Sequence, residues 1–367
     1  MRVLIAPDKF KGSLSAREVA AALAAGFAHF PGFIIDCCPV ADGGEGFAEV
    51  LAARRDTVEG IRDPIGRLVT AACGWLEGGT ALIEMSDASG LDRLTAQDRD
   101  PWRASTFGTG QLIRHASLHG ATRMLVGLGG SATNDAGAGM AAALGWQFLT
   151  SDGEPVDPIP ANFLAIERIE APEEDTLPPI VAACDVRNPL LGPEGASRIY
   201  ARQKGADERM IGFLEMAVEH LADLVADQIG TDHRNLPGAG AAGGLGYGLA
   251  TFCQAELQPG FALIAQALRL EERVAASDMV ITGEGRIDAQ TLNGKAPGEV
   301  ARLAKKFGKP VAAVCGELAG GTAATEWFDS IITLRSLDPS GKHCFSSPAE
   351  LLASAAAIIA RRAREAS

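Results

Sequence analysis

The chain reads as an α/β protein of two domains: a doubly wound, largely parallel-sheet domain built from both chain ends, and a mixed α+β domain inserted between them. Three observations predict this. Short apolar strands alternate with helical stretches at both ends of the chain. Over 56–86, turn signals recur every several residues between β-branched runs, as in antiparallel strands joined by tight turns. The polar clusters follow the strands, where open α/β sheets place their ligands. The expected boundaries are 1–62 with 258–367 for the discontinuous domain and 63–257 for the insert.

Taken in order, "RVLIAP" is a short apolar strand. In "SLSAREVAAALAAGF", Val19, Leu23 and Phe27 recur at helical spacing. Ser15 and Glu18 stand in S-x-x-E order, so the helix opens with a reciprocal cap, and Ser13 offers a start one turn earlier. "FIIDCCPV" is a second strand, and "ADGGEG" leads into the helical stretch "FAEVLAARR". After the antiparallel region come a strand at 123–127 and a small-residue helix at 136–148. "IVAACDV" is a strand ending at Asp185, and "GFLEMAVEHLADLVADQIG" is an amphipathic helix. In the last third, "DMVITG", "APGEVARLAKKFG" and "KPVAAVCG" read strand, helix, strand, with Pro297 early and Gly308 late in the helix. Right-handed crossover makes the two strands parallel neighbours. The last helix opens at "SPAELL".

A formal net charge of −13 leaves no electrostatic footprint for nucleic acid or an anionic membrane, though a few converging lysines can still hold a small anion. The apolar N-terminal run is too short for a secretory leader, and no window approaches the length of a membrane span. The seven cysteines are odd in number and form no C-x-x-C pair, which predicts free thiols in a reducing cytoplasm. The expected partners are small molecules, with self-association left open.

Five clusters carry chemistry. "PDKFKGSLS" sets Asp8, Lys9, Lys11, Gly12 and Ser13 between a strand and a helix start, whose free N–H groups and partial positive charge suit an anion. "ADGGEG" sets Asp42 and Glu45 around two glycines; acids without an adjacent base suit a hydrated Mg²⁺, and equally a capped turn. "GLGGSATND" holds Gly129, Gly130, Ser131, Asn134 and Asp135 after a strand. It lacks the Lys-Ser/Thr end of a Walker loop but has the same parts: a glycine-rich bend, hydroxyls and a helix start. Asp135 either assists a metal or caps the helix, and the glycines serve either a ligand or close strand–helix packing. "CDVRNPLLGPEGASRIYARQKGA" combines Asp185, Asn188 and Lys204 with turn glycines. Asp185 ends an apolar strand, a good orientation for a catalytic carboxylate, whereas Asn188 also reads as a turn-initiating Asn-Pro. "ITGEGRIDAQTLNGKA" follows a strand with Thr282, Gly283, Glu284, Arg286, Asp288 and Lys295.

The G-x-G-x-x-G at Gly238, Gly240 and Gly243 follows polar "TDHRNLP", not a strand, so it is not a dinucleotide fingerprint; an adenine-nucleotide or hinge role is expected there. His115 and His119 lack a third ligand, and no G-x-S-x-G elbow is present. Glycine loops, convergent acids and a few lysines, without a thiolate or histidine nucleophile, favour phosphoryl transfer, which needs positioning and charge neutralisation more than covalent chemistry.

Across nearly the whole chain, "APDKFKGSLSA", "PVADGGEG", "GLGGSATNDAGAG", "CDVRNPLLGPEGA", "QKGA" and "TGEGRIDAQTLNGKAPGEVA" occur in an order that closely resembles the bacterial type 1 glycerate kinases. One departure is "YARQKGA", where Ala201 and Arg202 replace the family's Gly-Pro. The resemblance implies an active site in a cleft between two α/β domains, ATP with Mg²⁺, and D-glycerate as acceptor. It favours 2-phosphoglycerate over 3-phosphoglycerate as product. The alternatives are a kinase for another small hydroxy acid and a non-catalytic nucleotide or metabolite sensor. The expected catalytic residues are Asp185, Lys9 and Asp8. Lys11, Ser13, Gly129, Gly130, Ser131, Asn134, Asn188, Thr282, Gly283, Glu284 and Lys295 are expected to bind substrate or phosphate, and Asp42, Asp135 and Asp288 metal.

Overall fold

The computed structural model describes the chain except residues 52, 174–176, 289–290, 292–293, 320–325 and 366–367. Its strands are β1 (Arg2–Ile5), β2 (Ile34–Cys37), β3 (Arg54–Arg62), β4 (Leu68–Leu76), β5 (Thr80–Glu84), β6 (Arg123–Gly127), β7 (Gln147–Leu149), β8 (Arg168–Glu170), β9 (Ile180–Ala183), β10 (Glu256–Gln258), β11 (Met279–Ile287), β12 (Val311–Leu318) and β13 (Ser330–Thr333). The chain divides into two units. The first is Met1–Asp42, Glu49–Leu51 and Phe261–Ser367; the second is Gly43–Ala48 and Ala52–Gly260.

The first unit holds a five-stranded sheet in the order β13-β12-β11-β1-β2, every pairing parallel. Side chains alternate across it. Val3, Ile5, Ile281 and Val314 share a core with Val19 and Leu23 of the helix Ala16–Gly26 and Leu352 and Ile359 of the helix Pro348–Glu365. Leu4, Val280, Ala313 and Cys315 share another with Leu270 and Val274 of Leu270–Ala276 and Val300 and Ala304 of Ala296–Lys306. Helices on both faces make the sheet doubly wound and explain why its strands read as unbroken apolar runs. The expected cap is present: the Glu18 N–H donates to Ser15 Oγ and the Ser15 N–H to the Glu18 carboxylate, so the helix begins at Ala16.

The second unit is built on a mixed sheet, β10-β9-β6-β5-β4-β3. It is parallel from β10 to β5 and antiparallel from β5 to β3. A separate antiparallel pair joins β7 and β8. Its core gathers Ile83, Val126 and Ile180 with Leu112, Leu221, Val225, Tyr247 and Phe252.

Several sequence expectations shift. Residues 54–62, placed with the terminal domain, belong to the second unit, because β3 finds its backbone partners along β4, from Arg54 opposite Trp75 to Arg62 opposite Leu68. The helical stretch after "ADGGEG" is only Phe47–Val50, since the chain must enter β3 at Arg54. The small-residue helix is Ala138–Ala143: Ala136 and Gly137 before it are left-handed, and strand β7 begins at Gln147. A helix over Phe107–Leu118 escaped the sequence reading, hidden by Gly108 and Gly110. Both glycines sit where a Cβ would strike backbone, at the carbonyls of Arg62 and Met140. Cys38, Cys73, Cys184, Cys253 and Cys315 are buried and in no disulfide among the described residues, while Cys37 is exposed. Among the described residues, no helix is long and apolar enough to cross a membrane.

Candidate active site

Each unit carries a polar cluster at the carboxyl ends of parallel strands. In the first, β1 leads to β2 on one side while β11, β12 and β13 run outward on the other, so the order reverses between β1 and β11. Ligands bind at such a switch point. Past Ile5 the β1–β11 pairing continues: the Ala6 N–H donates to the Ile281 carbonyl at 2.7 Å and the Asp8 N–H to the Gly283 carbonyl at 2.8 Å. Asp8 and Glu284 are thereby carried on adjacent backbones, and both are buried.

Among the described residues, Asp8 accepts one bond, from the Lys9 N–H at 2.7 Å. Burial first, then the Asp42 carboxylate, and more weakly Glu284, push its pKa up to about 8 against the opposing pull of Lys9. Burial also raises Glu284, opposed by the Thr291 hydroxyl bonded at 2.5 Å and by Lys295 at 3.6 Å. Asp288 donates its N–H to Thr291 Oγ1 at 3.1 Å, and its carboxylate lies 3.8 Å from Arg286. The structure thus gathers Asp8, Lys9, Asp42, Glu284, Asp288 and Lys295 through their contacts and charges. Lys11 is exposed on the loop before the capped helix, outside its first turn, and the Ser13 hydroxyl is buried without a hydrogen-bond partner among the described residues. Two expected binders make contacts within the sheet. The Thr282 hydroxyl donates to the Ala6 carbonyl at 2.8 Å, and a Cβ on Gly283 would come within 2.0 Å of the Val314 carbonyl. Residues 289–290 and 292–293 of the "TGEGRIDAQTLNGKA" motif lie outside the described residues.

In the second unit, β5, β6 and β9 are parallel neighbours whose ends lead into Met85, "GLGGSATND" and "CDVRNP". The glycine-rich segments pack on one another. A Cβ on Gly129 would stand 2.6 Å from the Gly44 Cα, and one on Gly130, which is left-handed, 1.9 Å from Glu45 Oε1. Glu84 anchors the 43–48 loop by accepting from the N–H groups of Gly46 at 3.0 Å and Ala48 at 2.9 Å. From the other side, Gly243 of the G-x-G-x-x-G segment presses on the Thr133 carbonyl, where a Cβ would come within 1.9 Å. The segment for which an adenine-nucleotide or hinge role is expected packs closely: Ala239, Ala241 and Gly243–Phe252 are buried against this loop and the core.

Asp135 is fully buried, and both carboxylate oxygens are engaged. Oδ2 accepts from the Thr106 N–H at 2.7 Å, the Thr106 hydroxyl at 2.8 Å and the Gly139 N–H at 3.2 Å; Oδ1 accepts from the Gly137 N–H at 3.2 Å. Burial raises its pKa and these bonds oppose the rise. Of its two sequence readings, the cap prevails over the metal ligand: Asp135 ties together the starts of two helices. Asn134 donates to Ser197 Oγ at 2.9 Å. Asn188 is the turn residue, its amide donating to the Glu194 carbonyl at 2.8 Å and its Oδ1 accepting from the Tyr200 hydroxyl at 2.7 Å. Asp185 stands half-buried just beyond β9, whose residues are all buried.

Sequence reading groups Lys204 with Asp185 and Asn188 but gives it no role. It is buried in the turn Arg202–Lys204, and Nζ donates to Ser131 Oγ at 2.7 Å and to the Thr133 carbonyl at 2.6 Å. Burial pulls its pKa down to about 7, with Asp135 pushing the other way. Ala201 and Arg202, the departure from the family pattern, still allow the turn, which closes on left-handed Gly205. Glu84, Thr106 and Thr291 were also missed; Glu84 and Thr106 hold loops through partners distant in sequence, which no local pattern announces, whereas Thr291 acts within its own motif, on Glu284 and Asp288.

A family model described as the glycerate kinase family matches residues 3–364. Glycerate 2-kinase of Escherichia coli (strain K12) is 44% identical over 328 residues, covering 87% of this chain and 86% of that protein. Glycerate kinase of Bacillus subtilis (strain 168) is 42% identical over 330 residues, with 87% and 86% covered. A crystal structure from Salmonella typhimurium LT2 assigned as glycerate kinase 2 superimposes with a TM-score of 0.84 at 38% identity, covering 100% of this chain and 99% of that one. With the family model spanning nearly every residue and relatives this similar over most of their length, the chain belongs to the glycerate kinase family.

Proposed function

We propose that the protein transfers the γ-phosphoryl group of ATP to the 2-hydroxyl of D-glycerate, giving 2-phosphoglycerate and ADP. The observation that carries this reading is the carboxylate group of Asp8, Asp42 and Glu284 at the β1–β11 switch point, with Lys9 and Lys295 beside it. Its crowded negative charge suits a ligand that brings its own cation, and its lysines suit that ligand's phosphates. The names of the relatives support glycerate as acceptor, and the Escherichia coli name supports the 2-hydroxyl.

The donor set fits Mg²⁺: hard carboxylate oxygens, one or two of which commonly join phosphate oxygens and water around that ion. Among the described residues, no three His, Cys, Asp or Glu side chains form a metal-holding group, so the protein's share is small. In this reading Asp42 and Asp288 hold the ion, which would neutralise charge on the phosphate oxygens. Lys9, Lys11 and Lys295 orient anionic oxygens, and the loop Gly129–Asn134 holds a second anionic group. Asp185, fixed at the end of buried β9, accepts the proton of the attacking hydroxyl as its oxygen bonds to phosphorus and the bond to the ADP oxygen breaks. A second reading gives that role to Asp8, whose raised pKa lies near a working pH.

The test is ADP release with and without D-glycerate, ³¹P NMR of the product, and turnover in EDTA before and after Mg²⁺ is restored. The reading predicts glycerate-dependent ADP, a 2-phosphate signal and reversible loss in EDTA. ADP released only with another hydroxy acid makes the protein a kinase for that acid. Nucleotide binding without turnover makes it a sensor.

A further inference from the structure

We propose that Lys204 is a positioning residue for the reaction: its buried ammonium orients Ser131 in the loop 129–135 and supplies the positive charge with which that loop receives an anionic group of the substrates. The inference rests on the kinase reading above and adds to it a residue and a role.

Lys204 is, among the described residues, the only buried Lys or Arg. No carboxylate among the described residues lies within ion-pair distance of it. The buried acid whose charge reaches it, Asp135, is already satisfied by four donors of the chain. A buried ammonium without a counter-ion costs desolvation that two hydrogen bonds do not repay, and an apolar side chain of similar volume is usually at least as stable there. The contacts show where the charge is directed. Ser131 and Thr133 flank Ala132 at the bend of the loop, so one ammonium grips both sides of it. The loop backbone is held independently, by the Leu91 N–H on the Gly130 carbonyl at 2.7 Å and the Ala132 N–H on the Ser89 carbonyl at 3.0 Å. Lys204 is therefore not needed to keep the loop attached; it contributes charge and the orientation of Ser131. An ammonium has three donors, and the contacts described occupy two. Burial disfavours its charged form, and an arriving anion would favour that form again.

The anion is either the glycerate carboxylate or an oxygen of the transferring phosphoryl group, and kinetics separate the two. The experiment compares the full-length wild type with Lys204→Met, Lys204→Arg and Ser131→Ala, measuring thermal unfolding, kcat, and KM for D-glycerate and ATP. Lys204→Met should unfold at or above the wild-type temperature and lose at least about tenfold in kcat/KM. A rise confined to the glycerate KM assigns the carboxylate; a fall in kcat assigns the phosphoryl group. Lys204→Arg, which keeps the charge, should retain more activity than Lys204→Met. Ser131→Ala should fold and lose less. A Lys204→Met enzyme with wild-type kcat/KM overturns the proposal. So do losses in Lys204→Met and Ser131→Ala that only follow a lowered unfolding temperature, since they mark a structural role. A wild type without glycerate-dependent ADP release overturns instead the reading beneath it.

Discussion

Asp8 and Asp135 are both buried aspartates at the carboxyl ends of parallel strands, one in each unit, and their surroundings are opposite. Asp135 has four donors on its two oxygens. Among the described residues, Asp8 has one backbone donor and two carboxylates that repel it, offset in part by Lys9. The first is a solved local problem; the second is left unsolved by the protein alone, and unsolved electrostatics concentrate where ligands act. The same contrast runs through the neighbouring residues. Around Asp135, glycine, Thr106 and Asn134 are engaged with the chain itself. Around Asp8, lysines and acids lie within reach of one another at the switch point.

The largest effect expected from this contrast is on stability. Asp135→Asn turns an amide N–H₂ toward buried donors and should destabilise the protein by about 3 kcal/mol, measured by denaturant unfolding. A wild-type midpoint would mean the four donors do not need the charge. Next comes Asp185→Asn, which should fold normally and bind ATP, and lose about a hundredfold in kcat, the low end of acid–base contributions. If it turns over normally while Asp8→Asn is dead, Asp8 is the proton acceptor. Smaller is Gly129→Ala, which forces backbone apart at Gly44 and should cost about 2 kcal/mol, with activity lost alongside. Smallest is Gly12→Ala: Gly12 is left-handed, but nothing lies within 4 Å of the added methyl, so the cost should be roughly 1 kcal/mol of backbone strain. Equal losses at the two glycines would remove loop-on-loop packing from the account.

What was legible in the sequence was local or periodic. The Ser15–Glu18 cap, the alternating core of the first sheet and the Pro297-to-Gly308 helix depend on residues within a few positions of each other. The G-x-G-x-x-G segment was rejected as a dinucleotide site on its polar approach, and its buried packing accounts for its glycines without one. What stayed hidden depended on partners far apart in the chain. Nothing near Lys204 marks it as buried, because Ser131 and Thr133 lie more than seventy positions away. For Asp135 and Asn188 the sequence left two readings open, and only the positions of Thr106 and Tyr200 decided between them. Glycine in "GLGGSATND" looked like room for a ligand, and much of that room is filled by Gly44, Glu45 and neighbouring backbone.

In the reading proposed above, Asp8 is held at a cost to the fold and serves the reaction. Thermal unfolding of Asp8→Asn beside the wild type, ligand-free from pH 5 to pH 9, with turnover at pH 8, tests it most directly. The folded wild type keeps the Asp8 proton up to about pH 8, whereas the unfolded chain loses it near 3.8. The folded state therefore binds more protons between those values, and this group's contribution to stability falls as pH rises through that window. Asparagine keeps the acceptor for the Lys9 N–H and cannot ionise. Asp8→Asn should unfold at a higher temperature than the wild type, by a margin that widens up to about pH 8 and levels off above it, while turnover falls at least about tenfold. A variant less stable than the wild type across the range, or one that turns over normally, would contradict it.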